Sequence, residues 1–148
     1  MNRIAALPAA LGWRLLAAVY DLLPLLALWM LVSAALLLAR GGEPVVPGST
    51  AASIELVLLW AVTGLYAVLS WRLGGQTMGM RAWRLRVVDA NGSSPTARAV
   101  ALRYAVATLS LLALGVGFAW ALFEPQRRTW HDLVAGTVVV RLPAKTGR

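Results

Sequence analysis

Three long apolar blocks alternate with charged segments along the chain. The first runs from about Leu11 to Ala39, the second from about Ile54 to Trp71, and the third from Tyr104 to Phe123. A helix needs about 20 apolar residues to cross a hydrocarbon core about 30 Å thick. Each block is apolar on all sides instead of along one stripe, which is typical of helices surrounded by lipid. We therefore predict an all-α integral membrane protein with two full transmembrane helices, near 11–39 and 54–72, and a third hydrophobic segment near 98–123.

The composition supports a membrane protein and excludes several other classes. Hydrophobic residues make up 59% of the 148-residue chain and charged residues 14%, whereas soluble domains carry about 25% charged residues. The chain has no cysteine, which excludes disulfides, thiolate metal sites and a cysteine nucleophile. His131 is the single histidine, so one chain cannot build a multi-histidine metal cage. Without a nucleophile arrangement or a phosphate-binding loop, we expect neither enzymatic activity nor a cofactor.

Basic residues between the blocks predict the orientation of the chain. Loop 40–53 is nearly neutral, because Arg40 and Glu43 cancel, whereas the region from 72 to 103 is strongly basic. Its arginines are Arg72, Arg81, Arg84, Arg86, Arg98 and Arg103. Lys and Arg near span ends stay cytoplasmic, so we place the N-terminus and loop 73–97 inside and loop 40–53 outside. The net charge of +8 then faces anionic lipid headgroups, and we expect no nucleic-acid partner.

The third apolar block and the tail after it lead to conflicting predictions of topology. A plain third crossing would put tail 124–148 outside, yet that tail carries five basic residues. Gly115 and Gly117 lie within the block, and glycines favour turns. We therefore favour a re-entrant helical hairpin that returns the tail to the cytoplasm, with a plain third span as the alternative.

Two short runs have the composition of strands. They are Leu85–Asp89, which is followed by the turn sequence Ala90-Asn91-Gly92, and Thr137–Arg141. Neither strand is stable alone, so we predict that they pair as a small cytoplasmic β-ribbon.

Four charged residues near the apolar blocks are the candidate site. Arg14 and Asp21 are seven residues apart, which places them on one helix face about 10.5 Å apart along the axis. Because these charges interrupt the first block, we expect it to remain as a helix instead of being cleaved as a secretory signal. An ionised Asp21 inside an apolar helix needs a partner, a proton or a bound cation. Arg103 is at the start of the third apolar block and Asp132 is in the tail after it. We expect Arg14, Arg103 and Asp132 to meet at one membrane depth if the tail and the N-terminus are both cytoplasmic.

These residues resemble the RDD family of small membrane proteins, which is named for an arginine and two aspartates. The match falls on Arg14, on Asp21, and on Asp132 within Trp130-His131-Asp132-Leu133-Val134-Ala135-Gly136. Gly75-Gln76-Thr77-Met78-Gly79 and Arg103-Tyr104 also resemble the middle of the family pattern. The family loop often has Pro and Lys where this chain has Met78 and Met80, which leaves Arg81 as the nearest basic residue. The resemblance covers roughly residues 11–141.

The resemblance implies a bacterial cytoplasmic (inner) membrane protein with several membrane segments. Some relatives have been proposed as sodium/proton antiporters, and eukaryotic relatives act as assembly partners of larger membrane complexes. Our first hypothesis is therefore cation/proton exchange through a homo-oligomer, with Asp21 as the site for a monovalent cation or proton and Arg14 as its counter-charge. The alternative is a non-transporting scaffold or accessory subunit in which Arg14, Arg103 and Asp132 form a structural ion-pair lock. Gly64, a small residue in the second block, offers weak support for helix association between chains. Whether a metal ion binds stays open.

Overall fold

Two long helices form the frame of the molecule. In the computed structural model, which describes residues 7–143, helix α1 spans Leu11–Ala39 and helix α2 spans Thr50–Gly74. At a rise of 1.5 Å per residue, the 29 residues of α1 extend about 43 Å. Both helices are long and apolar enough to cross a membrane. The two predicted full-length apolar helices are thus present.

Helix α2 is longer than the hydropathy pattern indicates. It begins at Thr50 instead of near 54, because the Ser49 hydroxyl accepts a hydrogen bond of 3.2 Å from the Ala52 amide and caps the first turn. It continues to Gly74 and ends at Gly75, whose φ of 69° is left-handed and suits glycine. The connection between α1 and α2 is therefore residues 40–49, shorter than the predicted loop 40–53.

The third hydrophobic segment is broken. Helix α4 spans Ala97–Leu112, and after a turn the short helix α5 (Val116–Ala119) continues into a 3₁₀ turn over Trp120–Leu122. The two parts are bent by 110°, and Gly115 lies at the bend with a φ of 79°. The predicted bend near the glycines is confirmed. The 16 residues of α4 extend about 24 Å, less than a full hydrocarbon core.

A three-stranded antiparallel sheet joins distant parts of the chain. Strand β1 is Leu7–Pro8, β2 is Leu85–Asp89 and β3 is Thr137–Arg141, in the order β1-β3-β2. The predicted pairing of β2 with β3 is confirmed, with Leu85 opposite Arg141 and Asp89 opposite Thr137. The prediction of a two-stranded ribbon did not include β1, because a strand of two residues is too short to show an alternating pattern.

The sheet brings three segments of the chain to one end of the molecule. These are the segment before α1, the connection after α2 and the C-terminal strand. Short helices α3 (Met78–Ala82) and α6 (Trp130–Ala135) lie beside the sheet, and we call the sheet with α3 and α6 the sheet module. Leu85, Val87 and Val139 fill its core together with Ala17 of α1, so the module is packed directly against the helices.

Single-cysteine labelling tests this arrangement in a membrane. The chain has no native cysteine, so Asn91→Cys, Pro143→Cys and Glu43→Cys each supply one exposed thiol. We expect Asn91→Cys and Pro143→Cys to be labelled from the same side, because β2 and β3 share one sheet, and Glu43→Cys from the opposite side. A reagent that does not cross membranes, applied to sealed vesicles, measures this; labelling of positions 91 and 143 from opposite sides would contradict the fold.

Candidate functional site

The centre of the candidate site is the carboxylate of Asp132. It is completely buried, and two arginines hold it. Arg14 Nη1 donates to Asp132 Oδ2 at 2.5 Å, and Arg103 Nη1 donates to Asp132 Oδ1. The side chains of Arg14 and Arg103 are themselves only 10% and 5% exposed. We call these three residues the Asp132 cluster.

Local sequence places Asp132 where both arginines reach it. Asp132 lies in the first turn of α6, where Thr129 precedes the helix as its N-cap. The Thr129 amide donates to Asp132 Oδ2 at 3.1 Å, and the Thr129 hydroxyl donates to the same oxygen at 2.8 Å. A threonine followed three residues later by an acidic side chain is the capping-box pattern, which orients the carboxylate before any distant partner arrives.

Each arginine of the cluster is fixed by further contacts. Arg14 Nε donates to the carbonyl of Ala9 at 3.2 Å. Arg103 also donates to the Thr137 hydroxyl at 2.9 Å and lies over the Trp71 ring, 5.0 Å from its centroid. The cluster and these contacts therefore connect α1, α2, α4, α6 and β3.

The surroundings of Asp132 keep it ionised. Burial by itself raises the pKa of the carboxyl, but the positive charges of Arg103 and Arg14 outweigh burial and hold the pKa well below its usual range. A carboxylate in this state does not exchange a proton near neutral pH. The geometry thus supports a permanent ion-pair cluster at Asp132.

His131 is buried beside the cluster as a neutral ring. Its Nε2 lies 2.8 Å from the Thr129 hydroxyl oxygen. Because that hydroxyl gives its hydrogen to Asp132, Nε2 must carry the proton and donate it. Burial and then the charge of Arg103 lower the pKa of His131 to about 3. Its buried Nδ1 has no hydrogen-bond partner among residues 7–143.

Asp21 lies in a second, separate cluster. Its Oδ1 accepts hydrogen bonds of 2.8 Å from the Tyr66 hydroxyl and from the Gly79 amide, and its Oδ2 accepts one of 2.5 Å from the Thr77 hydroxyl. We call these four residues the Asp21 clasp, which ties α1 to α2 and to the start of α3. All partners of this carboxylate are donors without a charge.

Each of the two hydroxyls in the clasp also accepts one hydrogen bond. The Met78 amide donates to the Tyr66 hydroxyl at 3.1 Å, and the Met80 amide donates to the Thr77 hydroxyl at 3.3 Å. A β-carbon at Gly79 would collide with the backbone carbonyl of Ala17, so α3 lies directly on α1. The glycine-rich connector expected after α2 therefore contains a docked helix whose amides complete the clasp.

The structure brings together three of the four charged residues expected at the site. Arg14, Arg103 and Asp132 meet, whereas the counter-charge role of Arg14 toward Asp21 is not found. The Arg14 side chain turns to Asp132 and Ala9, away from Asp21. Tyr66 lies 45 residues from Asp21 in the chain, so periodicity gave no signal for it. Thr77, a polar N-cap residue before a short apolar helix, is the local signal for the clasp.

A polar contact between the other ends of α1 and α2 was also missed. The Ser33 hydroxyl donates to Glu55 Oε1 at 2.6 Å, and Arg40 forms a salt bridge of 3.3 Å with Glu55 Oε2. Glu55 lies at the edge of the second apolar block, where the hydropathy pattern does not separate it from the loop. This contact holds the far ends of α1 and α2 together.

Fold and site define a class of small helical membrane-type protein: two long apolar helices, a bent third pair, and a terminal sheet module joined to them by a buried arginine–aspartate cluster. Within that class the chain belongs to the RDD family, whose family model matches residues 8–136. No curated protein and no solved structure matches the sequence. Among residues 7–143, no three His, Asp or Glu side chains lie close enough to hold a metal ion.

Substitution of Asp132 tests whether the cluster holds the fold. Asp132→Asn leaves Arg14 and Arg103 buried without their counter-charge, and breaking a buried pair in this way costs about 3–5 kcal/mol. We expect a large drop in the unfolding midpoint of the detergent-solubilised protein, measured by intrinsic tryptophan fluorescence. Glu43→Gln makes the same carboxylate-to-amide change at an exposed position and should have little effect; equal midpoints for the two variants would refute the structural role.

The buried histidine predicts a pH dependence of stability. Between its ordinary pKa of 6.5 and the folded value of about 3, the unfolded chain binds a proton at His131 that the folded chain does not. The free energy of unfolding should therefore fall as the pH drops below 6.5, by up to about 1.4 kcal/mol per pH unit. His131→Gln keeps an N–H donor for Thr129 and should flatten this slope.

The useful range for this comparison is about pH 4.5–6.5. The pKa of Asp132 is lowered from 3.8 by the arginines, so its stabilising contribution is complete above that value and is lost only at lower pH. Unfolding midpoints of wild type and His131→Gln, measured across this range, isolate the histidine. Parallel curves for the two proteins would show that His131 is not the titrating group.

Proposed function

We propose that this RDD-family protein is a non-enzymatic, non-transporting accessory subunit of a membrane complex. The observation that carries the proposal is the Asp132 cluster, in which one buried carboxylate, the buried Arg103 and the largely buried Arg14 join the sheet module to α1 and α4. A transport site must release and rebind its ion, whereas these charges satisfy one another inside the protein.

The contacts of Asp21 also favour a structural role. A bound cation needs oxygen atoms with free lone pairs around it. In the Asp21 clasp, both hydroxyls donate to the carboxylate and accept from the amides of Met78 and Met80. An ion held by both carboxylate oxygens would compete with the three hydrogen bonds that Asp21 accepts, two of which hold α3 against α1.

For the cellular setting, we propose a bacterial inner membrane with the N-terminus and the sheet module in the cytoplasm. The basic residues between α2 and α4 support this orientation. The sheet supports it further, because β1, β2 and β3 lie at one end of the molecule and the bent third segment returns the chain to that end. In this arrangement the third segment is re-entrant.

Cation/proton exchange at Asp21 is the second candidate. One observation favours it: among residues 7–143, Asp21 has no salt-bridge partner, although it lies within an apolar helix. An ionisable side chain in such a place is typical of proton and cation pathways. This reading requires several copies to enclose a polar path. Gly64 gives it no help, because the Tyr104 ring of the same chain occupies the space beside that glycine.

Reconstitution in proteoliposomes separates the two candidates. We expect folded wild-type protein to produce no sodium- or lithium-dependent proton movement above that of protein-free vesicles, because three hydrogen bonds already occupy the Asp21 carboxylate. The measurement is the fluorescence of a pH-sensitive dye inside the vesicles after a salt pulse. A wild-type response that Asp21→Asn lacks would overturn the accessory proposal and place the ion site at Asp21; Glu43→Gln serves as the matched control for loss of one carboxylate.

Crosslinking in native membranes provides the positive test. Met30 is 72% exposed near the middle of α1, so a photoreactive side chain there reports what adjoins the helix. The accessory proposal predicts an adduct with a different membrane protein. An adduct between two copies of this chain would instead favour the homo-oligomer that transport requires.

A further inference from the structure

A basic cavity lies where the sheet module meets the start of α1. It has a volume of about 420 Å³, within the range of small-molecule sites, about 300–1,000 Å³. Its apolar wall comes from the segment before α1, from Trp13 and from the residues after β3. Arg84, Arg127 and Arg141 line the remaining side. No acidic side chain lines the cavity.

The three arginines converge from different parts of the chain. Arg84 lies between α3 and β2, Arg127 lies after the bent third segment, and Arg141 ends β3. Arg141 lies over the ring of Trp13, 3.9 Å from its centroid, which fixes its guanidinium at the cavity. Among the described residues, none of the three arginines forms a salt bridge. Several guanidinium groups around one space favour a ligand with phosphate oxygens.

Two of these arginines have an unfavourable backbone conformation. Arg84 has a φ of 56° and Arg127 a φ of 55°, in the left-handed region that glycine or asparagine usually occupies. A glycine at either position would relieve this conformation. Residues kept in such backbone regions are concentrated at binding sites, where their side chains are needed.

The position of the cavity indicates the source of the phosphate. Trp13 borders the cavity, and the exposed leucines of α1 begin at Leu15 and Leu16, only about 3 Å further along the axis. The cavity therefore lies at the edge of the apolar surface, at the depth of lipid headgroups, where tryptophan is common.

We propose that this cavity binds the phosphate headgroup of an anionic glycerophospholipid from the surrounding leaflet. Arg84 and Arg127 donate hydrogen bonds to the phosphate oxygens, and Arg141 completes the positive charge. Trp13 and Leu7 contact the glycerol and the first methylenes of the acyl chains. The site differs from the Asp132 cluster and from the Asp21 clasp, and its existence does not depend on whether the protein transports ions.

A lipid titration of the full-length protein in detergent tests this site. The probe is short-chain phosphatidylglycerol, with phosphatidylcholine of the same chain length as the zwitterionic comparison, and the dissociation constant is obtained from thermal stabilisation. We expect phosphatidylglycerol to bind at least about tenfold more tightly. Arg84→Gln and Arg127→Gln should each weaken its binding about tenfold, the loss expected for one charge-assisted hydrogen bond.

Two variants separate the site from general effects of charge and folding. Arg98→Gln removes the same charge from an exposed position at the start of α4, outside the cavity, and should bind phosphatidylglycerol as wild type does. Arg84→Gly should leave the lipid-free unfolding midpoint equal or higher, because the left-handed backbone suits glycine, and should still lose the lipid stabilisation.

Three results would overturn the proposal. Equal binding of phosphatidylcholine would remove the requirement for an anionic headgroup. Equal stabilisation by inorganic phosphate at the same concentration would indicate a soluble phosphate ligand in place of a lipid. If Arg98→Gln weakens phosphatidylglycerol binding as much as Arg84→Gln does, net charge and not the cavity would explain the binding.

Discussion

The structure depends on the burial of one carboxylate. Asp132 is completely withdrawn from water, and an ionised group in that position is tolerated only when charges and hydrogen bonds replace the water it has lost. Arg14, 118 residues away in the chain, and Arg103, 29 residues away, supply the charges. Thr129 supplies the local hydrogen bonds. Because these partners come from α1, α4 and the turn before α6, satisfying Asp132 also determines where the sheet module lies against the long helices.

Asp132 and Asp21, the two aspartates that the sequence singles out, are stabilised by different kinds of partner. Asp132 is neutralised by arginines, whereas Asp21 is held by two hydroxyls and one amide. The Asp21 clasp requires the close approach of α3 to α1, which the missing side chain at Gly79 permits. In this chain, the arginine and two aspartates therefore belong to one ion-pair cluster and to one clasp whose donors carry no charge.

Much of the fold was predictable from the sequence, and the reasons for the failures are physical. The apolar blocks, the bend near Gly115 and the pairing of Leu85–Asp89 with Thr137–Arg141 follow from length, glycine chemistry and strand composition. The contact of Arg103 with Asp132 followed from the prediction that tail 124–148 lies in the cytoplasm. Thr77 could be recognised locally as an N-cap residue, but its pairing and that of Tyr66 with Asp21 were not predictable, because they lie far along the chain and no periodicity links them to Asp21. Strand β1 was missed because two residues show no alternation.

The strand order has a consequence for how the chain is made. Strand β3 lies between β1 and β2, so the first and second strands to leave the ribosome cannot pair with each other and must wait for the third. Asp132 emerges just before β3, and until then Arg14 and Arg103 have no carboxylate to bind. During synthesis the long apolar helices α1 and α2 can form while the sheet is still incomplete. The sheet module is therefore completed only after β3 has been translated.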